Sequence, residues 1–349
     1  MISLTCPILV SFVLSVLTIP LMLLISKKFK LYDTIDERKI HTGNISRLGG
    51  VGILCGFTAA LIIYTVKNYF TSVDQNIWLL IPAIFLIIIM GIIDDLVQLR
   101  ARIKLYVQIL ATLLVIFAGF KFNNIVIGKF TIRLSWFSYI LTFCWIIGVT
   151  NAINLIDGLD GLSGSLSFCA ALTYAIFAFN SNQSAAGILC IALSAAILGF
   201  LMYNLPLPSA KIFMGDGGSQ FLGFSLAVIP LISQNGSHFI SFPCAAAVLI
   251  IPLFDTIAAI WRRIREHRRI DSPDKLHLHH KLLLLGFSKR MVLIIIILYQ
   301  TIISTFIILT VFLDTIASTI LLITVYAMGI LFFSIIHFAK NKVVDKSQE

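Results

Sequence analysis

Acidic residues carry the clearest chemistry in this sequence, because they occur in four separate segments that each border an apolar run. Asp94 and Asp95 are adjacent, and two neighbouring carboxylates repel each other unless a cation neutralises the pair. Such a pair suits a general base beside a metal-bound phosphate. The alternative is two solvated acids at a helix end that pair with Arg100, Arg102 or Lys104, and the pair alone does not decide between the two.

A second set of polar residues recurs every three positions in a later segment. The set is Asn151, Asn154, Asp157 and Asp160. Positions three apart share one face of a helix, and a 3₁₀ turn or a bend at Gly158 and Gly161 would align the whole stripe. The oxygens of Asn154, Asp157 and Asp160 suit a hard cation or the donor groups of a sugar or a base. A capped, glycine-rich helix boundary is the alternative interpretation.

A third segment places one acid among glycines, in the run Gly215-Asp216-Gly217-Gly218. Glycine lets a ligand approach the backbone closely, and the N-terminus of the helix that follows would offer free N–H groups to an anion. Mg²⁺ is often held by few carboxylates together with substrate phosphates. We therefore interpret Asp216 as a Mg²⁺ ligand, with an ordinary turn and helix cap as the alternative.

Basic residues concentrate in the longest connection, residues 262–290, which contains the run His277-Leu278-His279-His280. Arginine and lysine bind phosphate, and histidine adds hydrogen bonds or a proton. This loop therefore fits a clamp for a nucleoside diphosphate, and Arg265 belongs to it. Anchoring at lipid headgroups and a histidine-rich zinc site are the alternatives.

An earlier basic loop contains Lys39 and His41 and leads to Gly49-Gly50 at the start of an apolar run. Positive residues beside a glycine-rich helix start suit a phosphate group. We therefore include Lys39 and His41 among the candidate substrate-binding residues.

Apolar helices must hold these segments in place. Hydrophobic residues make up 59% of the 349 residues, charged residues make up 12%, and the mean hydropathy is +1.00. Soluble domains are about 45–50% apolar and about 25% charged. This composition excludes a disordered protein, a coiled coil and an ordinary soluble enzyme. The six cysteines border or lie in apolar runs and form no CxxC pair, so we interpret them as buried hydrophobes.

Eleven segments are long and apolar enough to predict membrane-spanning helices. They are roughly 3–25, 47–66, 77–93, 103–120, 134–150, 162–179, 185–203, 218–233, 237–261, 291–312 and 315–337. With the N-terminus outside, 22 lysines and arginines fall on the inner side and 4 on the outer side, as the positive-inside rule requires. The net charge of +10 is thus spread over short connections, which argues against nucleic-acid binding.

The fold prediction is an all-α polytopic membrane protein of one domain, residues 1–349, with its C-terminus in the cytoplasm. Residues 262–290 form a cytoplasmic basic loop within that domain, and residues 123–132 alternate around Gly128-Lys129, which predicts a small outer β-hairpin. In this topology six aspartates reach the inner face. They are Asp94, Asp95, Asp157, Asp160, Asp216 and Asp255. The sequence therefore predicts one polar site at the cytoplasmic surface.

In order and spacing, these motifs resemble the polyprenyl-phosphate N-acetylhexosamine-1-phosphate transferases of glycosyltransferase family 4. The resemblance runs from the Arg38-Lys39-Ile40-His41 loop through Phe287, and it is strongest to bacterial undecaprenyl-phosphate N-acetylglucosamine-1-phosphate transferases. It implies transfer of a sugar 1-phosphate from a UDP-sugar to undecaprenyl phosphate, with release of UMP. It also implies a Mg²⁺ requirement, with Mn²⁺ as a substitute, and the first membrane step of an envelope polysaccharide such as teichoic acid, O-antigen or enterobacterial common antigen.

The resemblance carries roles over to matching positions. Asp94 matches the base or positioner of the lipid phosphate, and Asp95 is its partner. The candidate residues are, for catalysis, Asp94, Asp95, Asp157 and Asp160; for the metal, Asn154 and Asp216; and for substrate binding, His277, His279, His280, Lys39, His41 and Arg265. The expected setting is the bacterial inner membrane, with the active site facing the cytoplasm and with room for a homodimer.

Two positions depart from the family pattern. The muramoyl-pentapeptide branch has three consecutive histidines, whereas Leu278 interrupts the run here, which indicates the N-acetylglucosamine branch. Many members have serine or threonine where Gly217 stands. N-acetylgalactosamine, a 6-deoxy-N-acetylhexosamine and a muramoyl peptide remain as alternative donors.

Two other classes of protein compete with this interpretation. An intramembrane prenyltransferase would have a third acid four residues after Asp94, where this chain has Gln98. A transporter would have broken helices and polar residues near the bilayer midplane, and Pro252 with Asp255 is the feature that favours it.

Overall fold

Helices account for most of the structure, a computed structural model that describes residues 2–32, 45–68, 80–205, 209–234, 237–269, 272, 274 and 276–346. The helices are α1 (Ile2–Phe29), α2 (Gly50–Asn68), α3 (Leu80–Val97), α4 (Ala101–Phe117), α5 (Phe137–Ile156), α6 (Leu162–Asn180), α7 (Ser184–Asn204), α8 (Gly215–Val228), α9 (Phe242–Val248), α10 (Ile250–Arg265), α11 (Leu278–Leu284), α12 (Lys289–Leu309) and α13 (Thr315–Lys346). The strands are β1 (Asn124–Ile127), β2 (Phe130–Arg133), β3 (Ser233–Gln234) and β4 (Ser237–His238).

Seven of the described helices are long and apolar enough to cross a membrane, and the bent pair α9–α10 makes eight. The seven are α1, α3, α5, α6, α7, α12 and α13. Helix α2 is a shorter apolar helix, and α4 and α8 have only 17 and 14 residues, fewer than the roughly 20 that a span requires. The mostly helical architecture is confirmed, whereas eleven spans and an outer N-terminus stay predictions.

Helix α8 lies inside the bundle, in contact with α2, α3, α5 and α6. All of its residues from Gly217 to Val228 are buried. Leucine side chains of α1, by contrast, are exposed along its length, as on a helix that faces lipid. Because neighbouring helices surround α8, it can be too short to span a bilayer and still keep its backbone away from lipid.

Paired glycines allow the neighbouring helices to approach α8. A Cβ atom on Gly91 of α3 would lie only 2.4 Å from the Cα of Gly217, and one on Gly50 of α2 only 2.3 Å from the Cα of Gly218. Small residues permit such backbone contact between membrane helices. The contact also explains Gly217, one of the two departures from the family pattern, since a Cβ atom there would lie 2.7 Å from Oδ2 of Asp95 and 2.8 Å from the carbonyl carbon of Gly91.

The segment predicted as one span over 237–261 is divided in the structure. Helices α9 and α10 meet at 84° around Leu249. Pro252 has no N–H to donate to the carbonyl of Val248 four residues earlier, and the side-chain amide of Gln300 on α12 donates to that carbonyl instead, at 3.0 Å. The prediction of a continuous helix was wrong here because proline and a distant glutamine together stabilise the break.

The predicted β-hairpin is confirmed. Strands β1 and β2 pair antiparallel, with Asn124 opposite Arg133 and Ile127 opposite Phe130. Gly128 has a φ of +60° in the two-residue turn, the left-handed conformation that such turns need. The hairpin follows the C-terminal end of α4, so it lies at the opposite end of this helix from Lys104. Its placement outside the membrane stays a prediction.

The glycine contact between α3 and α8 gives a stability prediction. Gly91→Ala should destabilise the detergent-solubilised protein by about 1–3 kcal/mol, the typical cost of overpacking, because the new methyl group meets backbone atoms of Gly217. Gly148→Ala is the matched control, since a Cβ there meets nothing within 4 Å. Thermal unfolding should show a lower melting temperature for Gly91→Ala and an unchanged one for Gly148→Ala. Equal melting temperatures for the two variants would contradict the packing argument.

Candidate active site

The Lys104 ammonium joins two of the candidate carboxylates. Its Nζ lies 2.5 Å from Oδ2 of Asp94 and 2.5 Å from Oδ2 of Asp216. Lys104 is in the first turn of α4, Asp94 in the last turn of α3, and Asp216 in the first turn of α8, so three helix ends meet at one cation. Sequence reasoning named Lys104 only as a neutralising partner of the adjacent acids. The structure makes it a member of the site.

Asp95 has a different environment from its neighbour Asp94. Its two carboxylate oxygens accept hydrogen bonds from the backbone N–H groups of Asp216 and Gly217, at 2.7 and 3.1 Å. Asp95 therefore caps the N-terminus of α8, where a negative charge is favourable. The N–H groups interpreted as an anion site are already occupied by this carboxylate.

The glycine pair at the start of α2 is also engaged within the protein. The N–H groups of Gly49 and Gly50 donate to the carbonyls of Phe213 and Met214, at 2.9 and 2.8 Å. These hydrogen bonds attach α2 to the segment before α8, and they leave neither N–H free for phosphate. Lys39 and His41, assigned to the same loop, lie outside the described residues.

Asn154 and Asp216, the two candidate metal ligands, are brought together through Ser219. The Ser219 hydroxyl donates to Oδ1 of Asn154 at 2.8 Å and also lies within 3.3 Å of the Asp216 carbonyl. Asn154 occupies the last turn of α5, opposite the first turn of α8. The structure thus places the two candidate ligands on facing helix ends.

The backbone bends between Asp157 and Asp160, as the sequence predicts. Helix α5 ends at Ile156, and Gly161 has a φ of +77° before α6 begins. Burial raises the pKa of Asp157 to about 8, and the charges of Asp216, Asp160 and Asp95 act in the same direction. Three other carboxyl groups thus lie close enough to disfavour a negative charge on Asp157, and a divalent cation would relieve that repulsion.

The candidate donor set fits Mg²⁺ only as an open site. Among the described residues, no three histidine, cysteine, aspartate or glutamate side chains cluster as an enclosed metal site. The Asp216 carboxylate and the Asn154 amide oxygen are both hard donors, and Mg²⁺ commonly completes its shell with water and substrate phosphates. The residues present therefore fit a cation that is bound together with substrate.

Asp255 orients the histidine run. Its Oδ2 lies 2.8 Å from Nδ1 of His277, and its Oδ1 accepts the backbone N–H of Leu278 at 2.8 Å. The carboxylate is buried on α10, so it fixes both the start of α11 and the direction of the His277 ring. The sequence placed Asp255 at the inner face without a role, because its partners come 22 and 23 residues later.

His279 packs the histidine run against the bend between Asp157 and Asp160. A Cβ atom on Gly158 would lie only 2.4 Å from Nε2 of His279, so the imidazole packs directly on this glycine. Burial, together with nearby His280, lowers the pKa of His279 to about 3, which keeps the ring neutral at physiological pH. Neither ring nitrogen has a hydrogen-bond partner within the described structure. The neutral ring therefore has one N–H available to a ligand.

Arg262, and not Arg265, makes the contacts that attach the basic loop to α10. Arg262 pairs with Oδ2 of Asp274 at 2.6 Å and donates to the carbonyl of Leu276 at 3.0 Å. Arg265 is exposed at the end of α10 and lies near His337 of α13. Contact of Arg265 with substrate stays a prediction.

A buried chain of three amides lies one helical turn behind the site. Nδ2 of Asn151 donates to Oε1 of Gln108 at 2.8 Å, and Nε2 of Gln108 donates to Oε1 of Gln220 at 2.9 Å. Gln108 follows Lys104 by four positions, Asn151 precedes Asn154 by three, and Gln220 follows Asp216 by four. The three amides therefore join α4, α5 and α8 about one helical turn away from Lys104, Asn154 and Asp216.

Sequence reasoning missed Gln108 and the bonding of this chain. The available signal was a glutamine in an otherwise apolar stretch, one turn after a lysine. Polar residues in such a stretch are costly unless they find a partner, and the partners here come from α5 and α8.

Comparison with known proteins shows the family to which the chain belongs. The model of glycosyl transferase family 4 matches residues 77–234, a stretch that contains the candidate carboxylates from Asp94 to Asp216. A probable undecaprenyl-phosphate N-acetylglucosaminyl 1-phosphate transferase of Bacillus subtilis is 38% identical over 307 residues, 85% of this chain and 83% of the relative. The undecaprenyl-phosphate alpha-N-acetylglucosaminyl 1-phosphate transferase of Escherichia coli K12 is 30% identical over 289 residues, 80% of this chain and 77% of the relative. Similarity over most of both chains confirms the resemblance, and the protein belongs to glycosyl transferase family 4.

Proposed function

We propose that the protein transfers N-acetylglucosamine 1-phosphate from a UDP-linked donor to undecaprenyl phosphate and releases UMP. The observation that carries the proposal is the meeting of Asp94, Lys104 and Asp216 at one point. The relatives in Bacillus subtilis and Escherichia coli support it, since both are named for transfer of this sugar phosphate to this lipid.

In the proposed reaction, an oxygen of the lipid phosphate attacks the phosphorus that bears the sugar. A new P–O bond forms, the bond to the bridging oxygen of the donor diphosphate breaks, and UMP leaves with that electron pair. Both reactants are anions, so catalysis depends on positioning and on compensating charge. Lys104, held between Asp94 and Asp216, supplies positive charge for the phosphate oxygens, and Asp94 positions the lysine.

Asp216 and Asn154 would hold Mg²⁺, or Mn²⁺ in its place, and the cation would neutralise charge on the diphosphate. His279 contributes a neutral N–H, because burial lowers its pKa to about 3, and this N–H can donate to a phosphate oxygen. Asp95 acts on the reaction indirectly, by fixing the start of α8 and hence the position of Asp216.

Leu278 supports an N-acetylglucosamine donor over a muramoyl peptide donor. This side chain is buried, and its backbone N–H is bonded to Asp255. The position therefore presents no polar group to a ligand where the muramoyl branch has a histidine. The lipid product would enter the synthesis of an envelope polysaccharide such as teichoic acid or O-antigen.

The distribution of lysine and arginine supports an active site that faces the cytoplasm from the bacterial inner membrane. The broken pair α9–α10 is the feature that a transporter would share. Here the Gln300 amide donates to the Val248 carbonyl at the break, and Asp255 is engaged by His277 and Leu278, so that carbonyl and that carboxylate both have partners within the bundle.

The direct test is release of UMP by detergent-purified protein given undecaprenyl phosphate, Mg²⁺ and a panel of UDP-sugars. We expect release that depends on the lipid and is fastest with UDP-N-acetylglucosamine. Asp216→Asn is the inactive reference. Folded protein that releases no UMP with any sugar would overturn the proposed function.

The amide chain gives a prediction about positioning. Gln108→Leu should lower kcat by roughly 10- to 100-fold with little change in KM, because small misplacement of a reacting group is costly. In a Lys104→Met background the same substitution should have almost no further effect, since the lysine it positions is gone.

Steady-state kinetics of the two single variants and the double variant measure this coupling. Gln183→Leu is the control. Gln183 is another buried glutamine, its amide donates to the carbonyl of Ser237, and it lies at the start of α7, the opposite end of that helix from Asn204. If the losses from Gln108→Leu and Lys104→Met multiply, Gln108 does not act through the lysine.

The orientation of His277 gives a second kinetic prediction. Asp255→Asn keeps an oxygen for the Leu278 N–H but presents an amide N–H to Nδ1 of His277, so the imidazole must change its tautomer or rotate. We expect kcat/KM for the UDP-sugar to fall about 10- to 100-fold, as when the partner of a liganding histidine is removed. Unfolding temperature should change little.

Asp314→Asn is the matched control for this substitution. Asp314 also accepts backbone N–H groups, from Ile316 and Ala317 at the start of α13, but it contacts no candidate site residue. Equal losses of activity in the two variants would show that the effect comes from helix capping and not from His277.

A further inference from the structure

A cavity lined by polar and aromatic side chains lies at the opposite end of α4 from the candidate active site. It has a volume of about 640 Å³ and opens between the end of α4, the β1–β2 hairpin and the start of α5. The side chains that matter to its chemistry are those of Lys121, Asn123, Asn124, Arg133, Trp136 and Tyr139. Nothing in the proposed reaction uses this cavity.

The predicted topology, with Lys104 at the inner face, puts the cavity near the outer membrane interface. Helix α4 has 17 residues and begins beside Lys104, so its far end lies about 25 Å away. That distance is close to the thickness of a hydrocarbon core, about 30 Å. Trp136 and Tyr139 line the cavity and are exposed, at 69% and 48%, and tryptophan and tyrosine collect at the level of lipid headgroups.

The cavity contains two cations without a carboxylate partner in the described structure. The Lys121 ammonium lies 3.8 Å from the centre of the Tyr139 ring, a cation–π contact that holds the lysine at the wall of the cavity. Arg133 is exposed at the end of β2, where its backbone pairs with Asn124. No acidic side chain lines the cavity, so it offers a surplus of positive charge.

We propose that this cavity binds the phosphodiester headgroup of an anionic phospholipid. Lys121 and Arg133 would contact the phosphate oxygens, and the Asn123 and Asn124 amides would contact headgroup hydroxyls. A lipid fits better than a soluble anion because exposed apolar side chains border the cavity and offer a surface to acyl chains. The lipid would anchor the connection between α4 and α5, the helices that carry Lys104 and Asn154.

The test uses the full-length protein in vesicles of phosphatidylcholine that contain a minor fraction of phosphatidylglycerol with a photoactivatable headgroup. After irradiation, mass spectrometry locates the labelled peptides. We expect labels within residues 121–139. Unlabelled phosphatidylglycerol should compete, whereas inorganic phosphate in large excess should not.

The paired variant Lys121→Gln/Arg133→Gln should weaken labelling of this segment about 30-fold, since each interfacial cation is worth roughly five-fold in binding. Lys129→Gln is the matched control, because Lys129 lies in the turn of the same hairpin but does not line the cavity. Circular dichroism of each variant checks that the protein remains folded. The readout does not depend on transferase activity, so it stands or falls independently of the proposed function.

Three outcomes would overturn the proposal. Equal labelling by a phosphatidylcholine probe would show contact without charge recognition. Competition by inorganic phosphate would identify a soluble anion as the ligand. An equal loss of labelling in Lys129→Gln would attribute the effect to the net charge of the hairpin and not to the cavity.

Discussion

Two neighbouring carboxylates repel each other, and the Lys104 ammonium offsets that repulsion between Asp94 and Asp216. The Asp94 carboxylate is buried, so removing Lys104 would leave its charge uncompensated, a change that typically costs several kcal/mol. The three residues come from three helices, so the interaction holds only if α3, α4 and α8 end at the same level. The packing around these three helices keeps their ends at that level.

Each of the three helices is fixed close to the charge that it presents. The contact between Gly91 and Gly217 sets the spacing of α3 and α8 one turn from Asp94. Asp95 then fastens the first turn of α8, and Gln108 fixes α4 to its neighbours. The same region therefore contains residues proposed to bind ligands, such as Asp94 and Asp216, and residues that hold other groups in place, such as Asp95 and Gln108.

The sequence alone predicted much of this arrangement, and its limits have physical causes. The hairpin was predictable because a two-residue turn leaves a local signature at Gly128, and the bend at Gly161 is equally local. The different roles of Asp94 and Asp95 were not predictable, since the partner of Asp95 lies 121 positions later. Residue types predicted that the acids belong to one site, but only packing shows which oxygens are already occupied.

The span count illustrates the same limit. Hydropathy treats α8 as a membrane crossing because its residues are apolar, yet it has 14 residues and is enclosed by other helices. Pro252 was visible in the sequence, but whether it kinks or breaks a helix depended on Gln300 in α12. Long-range partners, and not local composition, decided both cases.

The enclosed position of α8 also has a consequence for biosynthesis. A helix of 14 residues that begins with a charged turn is too short to remain across a bilayer alone, so it must enter together with its neighbours or after them. Because α8 contributes Asp216, the candidate active site can form only when α8 packs against α2, α3 and α5. A chain that stops after α7 would insert its long helices and still lack the proposed active site, so on that proposal the order of synthesis keeps incomplete chains inactive.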